Sequence, residues 1–129
     1  MLIDNGVALE SFYGYNGVQK TDHVLIPANN SGIVAFKADL TGRSKVIASF
    51  VASGGSNGAC ECFSVVKDGV TFSTLDVPKN SAIVKKLVEN TNTNTYTDLE
   101  LDVSSLNGIH QIVISTYTKQ IKITELKVV

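Results

Sequence analysis

The residues best suited to recognition chemistry in this sequence are its four tyrosines, Tyr13, Tyr15, Tyr96 and Tyr117. All four fall near strand ends or in loops, among Asn, Thr and Ser. A tyrosine ring is apolar with a polar tip and therefore suits partly wet positions. Rings held on loops can stack on the apolar face of a sugar, while neighbouring amides and hydroxyls bond its hydroxyl groups. Tyr13 and Tyr15 lie two apart in SFYGYNG and share a face if that stretch is extended. Asn16 follows them, and Asn94 stands two before Tyr96 in NTNTNTYT (90–97), a repeat with the composition of a surface loop. The candidate ligand-binding set is thus Tyr13, Tyr15, Asn16, Asn94, Tyr96 and Tyr117. The plainer reading is that tyrosines gather at strand ends because their hydroxyls prefer water.

Catalytic constellations are missing. There is no Gly-rich phosphate loop before a helix, no nucleophile elbow and no metalloprotease helix. Asp98, Glu100 and Asp102 share one face of an alternating segment, with Leu99, Leu101 and Val103 on the other. A solvated sheet face explains them. Calcium wants six to eight oxygens converging from loops, whereas carboxylates spaced along a strand diverge. A hydrolytic pair needs a cleft, which alternation does not supply. His110 is in phase with Ile112 and Ile114 and is expected to point inward at a strand end. His23 follows Asp22 in a polar loop and is expected to be exposed. Cys60 and Cys62 would share a strand face, where a bridge is strained, and they have no histidine pair for zinc. They read as small apolar side chains in a core. The expectation is a protein that binds rather than transforms, and not an enzyme.

The elements that must position these residues are strands. GIVAFKADL (32–40) sets Val34, Phe36, Ala38 and Leu40 against Ala35, Lys37 and Asp39, the period-2 pattern of a half-buried strand. KVIASFVA (45–52) is apolar on both faces, as a central strand would be. SGGSNG (53–58) reads as a glycine-rich loop, followed by ACECFSVVK (59–67), the hairpin signal Asp68-Gly69 and VTFSTLDV (70–77). TDLELDV (97–103), IHQIVISTY (109–117) and QIKITELKVV (120–129) complete the set. SAIVKKLVEN (81–90) places Ile83, Val84, Leu87 and Val88 at helical spacing, yet it also reads as a strand. Seven or eight short strands at 8–12-residue spacing argue for a β-sandwich or barrel.

Composition narrows the class. The 129 residues suit one domain, 1–129, and 43% apolar against 18% charged content is that of a globular, soluble chain. Eleven basic and twelve acidic residues leave a net charge of −1. Without a basic stripe, no nucleic-acid partner is expected. No apolar run approaches the ~20 residues of a spanning helix, so no membrane partner is expected. MLIDNGVALES lacks the basic start and apolar centre of a signal peptide. Asn29-Asn30-Ser31 matches a short glycosylation pattern that often occurs by chance.

From GIVAFKADL onward, the order of features resembles the jelly-roll carbohydrate-binding modules of the family-6 kind. The correspondences are GIVAFKADL, KVIASFVASGG, the turn VKDG, STLDVP, LDVSSLNGIHQIVI and the closing IKITELKVV. The resemblance covers about three-quarters of the chain. It implies an all-β, antiparallel β-sandwich of jelly-roll type and a non-catalytic carbohydrate-binding function, with a glycan or polysaccharide as partner. An extracellular or cell-surface location goes with it. Within the resemblance Tyr96 falls near a family aromatic. Such modules also hold a structural calcium, for which Glu10 matches the acid of the family's first strand; no other cofactor is expected. The chain departs from the pattern in having no tryptophan and no aromatic in Asn29-Asn30-Ser31-Gly32. It also carries Lys122 and Thr124 where the family tends to place an Asn and an Asp. The alternative expectation is a structural or host-adhesion domain of a phage tail or baseplate, located in the virion. Such a domain would be part of a larger protein or homo-oligomer.

Overall fold

The computed structural model describes residues 12–27, 32–53, 62–69, 81–86, 97–116 and 119–129. Ten strands form there: β1 (Phe12–Tyr15), β2 (Val18–Gln19), β3 (Val24–Ile26), β4 (Gly32–Asp39) and β5 (Lys45–Ser53), then β6 (Cys62–Lys67), β7 (Ser81–Lys86), β8 (Thr97–Asp102), β9 (Ile109–Thr116) and β10 (Gln120–Val128). No helix occurs among the described residues, and therefore none there that could cross a membrane. The strands make two antiparallel five-stranded sheets, β1-β4-β9-β6-β7 and β2-β3-β10-β5-β8. The expected all-β sandwich is what forms.

Period-2 alternation drives the packing of the sheets. Val34, Phe36 and Ala38 of β4 turn inward with Phe63 and Val65 of β6 and with Ile112 and Ile114 of β9. They meet Val46, Ala48, Phe50 and Ala52 of β5 and Ile121, Ile123, Leu126 and Val128 of β10 in one core cluster. The alternation of β10 survives a register shift between Ile123 and Glu125, a bulge that restores the phase for Leu126 and Val128.

The half-buried expectation for residues 32–40 is corrected at the start of β4. Ile33 and Ala35, on the opposite face from Val34 and Phe36, are also buried, with Val66 and Val113. Ser64 and Ser115 are fully buried too, and among the described residues the Ser64 hydroxyl has no hydrogen-bond partner. The first sheet is therefore covered on both faces in this region. On β5 the reverse holds. It lies between β10 and β8 as expected of a central strand, yet Ile47, Ser49 and Val51 on its outward side stay half-exposed.

The segment 81–90, open between helix and strand in the sequence, is strand over Ser81–Lys86. It pairs antiparallel with β6 from Cys62↔Lys86 to Val66↔Ser81. A β-branched centre, Ile83-Val84, suits a pleated strand better than a helix. The expected strand at 70–77 lies outside the described residues. Asp68-Gly69 does turn the chain after β6, with Gly69 at φ 83, which favours glycine. Asp68 accepts an ion pair from Lys37, 3.0 Å away.

Candidate functional site

The strand directions sort the connections into two ends. At one end the turns are tight and heavily bonded. Leu40 N–H donates to the Gly108 carbonyl at 3.0 Å, and Gly108 N–H donates to Thr41 Oγ1 at 2.8 Å. Ser44 and Lys45 N–H groups both donate to the Val129 carbonyl, at 2.7 and 3.0 Å. At the other end the register brings together Tyr15 opposite Ile33, Gly32 opposite Thr116, Cys62 opposite Ser115 and Lys86 opposite Cys62. Gln120 opposite Ser53 and Ile121 opposite Ile26 extend that end into the second sheet. The connections after Tyr15, Ile26, Ser53, Lys86 and Thr116 therefore all leave the described strands there. We refer to it as the loop end.

Asn94, Tyr96 and Tyr117 of the candidate set lie outside the described residues, as does Glu10, the proposed calcium acid. Their sequence positions fall as follows: Asn94 and Tyr96 between Lys86 and Thr97, and Tyr117 between Thr116 and Lys119. The stretch that carries Tyr13 and Tyr15 is extended over Phe12–Tyr15. They sit in β1, the edge strand beside β4, in register with Ala35 and Ile33. Their two-residue spacing places both positions on one face of that strand.

Asn16 is exposed and adopts φ 55, a left-handed conformation that Asn tolerates better than most residues. The next residue explains why the corner is so sharp. A Cβ on Gly17 would run into Cγ1 of Val34, a fully buried core residue, and would lie 3.4 Å from the Ile33 carbonyl oxygen. The backbone at Gly17 is thus laid directly on the core, and Asn16 is presented from a fixed corner between the two sheets. Next to it, the β9–β10 connection is closed by a reciprocal pair. Thr116 Oγ1 donates to the Lys119 carbonyl at 2.9 Å and accepts from Lys119 N–H at 3.1 Å. Lys119 is fully buried, side chain included. Sequence reasoning missed this residue, because a lysine in a Thr-Lys turn carries the usual signature of solvent exposure.

The carboxylates of β8 behave as a solvated face. Asp98, Glu100 and Asp102 are exposed, and each has a different neighbour. Ser49 Oγ donates to Asp98 at 2.6 Å, Lys45 Nζ lies 3.1 Å from Glu100, and Ser104 donates to Asp102 through Oγ at 2.6 Å and N–H at 2.9 Å. Ser44, Lys45, Glu100, Asp102 and Ser104 line a shallow depression of about 330 Å³ at the tight-turn end. Among the described residues no group of three or more His, Cys, Asp or Glu is arranged to hold a metal. His110 is buried as expected, and its Nδ1 donates to the Gly108 carbonyl at 3.1 Å. His23 differs from expectation. It is half-buried, with Nδ1 2.6 Å from Asp22 Oδ1, because the adjacent carboxylate draws the ring back onto the turn.

Two turn carboxylates give a pH prediction. The Ser104 hydroxyl and amide hold Asp102 below the ordinary value of 3.8, and the Thr41 amide does the same for Asp39. A depressed folded value means that stability is fully present above the unfolded pKa and is lost as pH falls through the folded one. The melting temperature should therefore hold near neutrality and decline below about pH 4. Asp39→Asn with Asp102→Asn should flatten that decline. A thermal melt series that stays level to about pH 2.5 would contradict this linkage.

No protein-family model and no curated protein matches this chain.

Proposed function

We propose that this chain is a non-catalytic carbohydrate-binding module that takes a glycan or polysaccharide at its loop end. The observation that carries the reading is topological. The Tyr15–Asn16 corner and the connections containing Asn94, Tyr96 and Tyr117 all depart from one end of the sandwich. Tyrosine rings and Asn or Thr groups in one place supply stacking surface together with hydroxyl-directed hydrogen bonds. The strand order supports a jelly-roll type of sandwich, with β3-β10-β5-β8 facing β4-β9-β6-β7. An extracellular or cell-surface location goes with this reading.

Affinity-gel retardation and a glycan array test it directly. The expected outcome is retention by at least one plant or microbial polysaccharide, and indifference to all of them would refute it. Asn16→Gly then gives a clean probe, because glycine accepts φ 55 while removing the amide. Binding should weaken by about 10-fold with the melting temperature nearly unchanged. Equal affinity in this variant would remove Asn16 from the site.

A second reading is a structural or host-adhesion domain of a phage tail or baseplate. It is favoured by the second sheet, whose outward residues Ile47, Ser49 and Val51 are half-exposed, alongside an exposed Val18.

A further inference from the structure

Two Asn-Gly pairs fall among the described residues, Asn16-Gly17 and Asn107-Gly108, and the fold treats them differently. Both asparagines are exposed, and each pair holds one residue in the left-handed region, Asn16 at φ 55 and Gly108 at φ 85. The contrast lies at the glycine nitrogen. Gly108 N–H donates to Thr41 Oγ1 at 2.8 Å, and the Gly108 carbonyl accepts from Leu40 N–H at 3.0 Å and from His110 Nδ1 at 3.1 Å. Gly17 N–H makes no hydrogen bond among the described residues. Its backbone is held instead by the close approach to Val34.

We propose that Asn16-Gly17 is a covalent modification site, at which Asn16 converts spontaneously to aspartate and isoaspartate. The nucleophile is the Gly17 nitrogen, and the electrophile is Cγ of the Asn16 side-chain amide. The N–Cγ bond forms as the Cγ–Nδ2 bond breaks, and the Gly17 amide proton departs with that side-chain nitrogen as ammonia. A cyclic succinimide remains. Water then opens the ring. Addition at the side-chain carbonyl gives aspartate, and addition at the backbone carbonyl gives isoaspartate, whose main chain is one carbon longer. The sum is amide plus water to carboxylic acid plus ammonia, with nothing oxidised or reduced. Every ring atom but the Gly17 nitrogen comes from Asn16, so the ring closes without lifting Gly17 off Val34. A glycine in second place has no side chain to obstruct the attack. At Asn107 the same attack must first free Gly108 N–H from Thr41, at the cost of a hydrogen bond. The tight-turn end therefore protects its Asn-Gly pair, and the corner between β1 and β2 does not. Conversion sets a negative charge where the corner presented a neutral amide, and it is irreversible. The corner thus carries a chemical clock. The inference stands on the two Asn-Gly geometries, independently of what the loop end binds.

Incubation of the full chain at mildly alkaline pH, followed by peptide mapping with mass spectrometry, tests it. Asn16 should show the amide-to-acid mass change about 10-fold faster than Asn107, the rate equivalent of one hydrogen bond. Enzymatic methylation of isoaspartate should label the peptide that contains residue 16. In the urea-unfolded chain the two sites should convert at similar rates, which assigns the difference to the fold. Thr41→Val removes the acceptor of Gly108 N–H and should speed conversion at Asn107 while leaving Asn16 unchanged. A folded chain that converts Asn107 as fast as Asn16 overturns the proposal. So does one that keeps Asn16 intact for as long as the unfolded chain takes to lose it, or a folded Thr41→Val variant whose Asn107 stays as slow as before.

Discussion

Replacing Phe50 with alanine is expected to lower the unfolding free energy by about 3–5 kcal/mol. Phe50 is 1% exposed and sits on β5 opposite Ile123 of β10 and Thr97 of β8, so strands on both sides close over it. Its ring belongs to the cluster that joins the two sheets, with Phe36 and Phe63 contributed by the facing one. Truncation removes the transfer free energy of the ring and leaves a cavity, because a sheet held by ladder bonds on both sides cannot collapse inward. Domains of ordinary size have about 5–15 kcal/mol in total, so this change alone uses much of the margin. Urea denaturation should show a lower midpoint with an unchanged slope. A loss under about 1 kcal/mol would mean that the two sheets do not share this core. Phe50→Leu should cost clearly less, since it keeps much of the packed volume.

Gly17→Ala is expected to destabilise the protein by about 1–3 kcal/mol and to disturb ligand binding as well. The added methyl meets the Val34 side chain, which is fully buried and has no free direction in which to move. Relief requires the backbone to lift off the core between β1 and β2. That movement carries Asn16 with it and displaces the edge strand bearing Tyr13 and Tyr15. Val34→Ala should partly rescue Gly17→Ala by opening the space, so the pair should be non-additive in a double-mutant cycle. Strict additivity would show that Gly17 does not rest on Val34.

The long strands were legible because their signal is local. Residues 97–103 alternate charge and leucine without interruption, and β8 forms there with its carboxylates in solvent. Residues 109–117 and 120–129 yield β9 and β10 within a residue or two of their expected limits. The short strands were not legible. β2 has two residues and β3 has three, too few for periodicity, and they exist because β10 offers a ladder to Val24–Ile26. β1 carried no strand assignment from its sequence beyond the shared face that Tyr13 and Tyr15 have if extended. Its pairing with β4 is a contact across about twenty residues that no local pattern encodes. Burial of Ile33 and Ala35 escaped for the same reason: alternation assigns one wet face, and only the tertiary fold reveals that the face is covered.

The candidate site divides along similar lines. Residue types alone picked out Tyr15 and Asn16, but not the left-handed turn at Asn16 or the close approach of Gly17 that fixes it. The buried Lys119 beside Thr116 had no sequence signal at all. Conversely, the histidine at 110 was placed by phase with Ile112 and Ile114, because a strand end obeys the same alternation as its middle.

The central claim is that a glycan docks at the loop end. Its most direct test is to titrate the isotopically labelled full chain with a polysaccharide that retains it and to follow the backbone amides by NMR. The account predicts shifts at Asn16, Gly17, Gly32, Thr116 and Lys119, with Thr41, Gly42, Ser104 and Gly108 at the opposite end unmoved. Shifts confined to those tight turns, or no shift with any glycan, would contradict it.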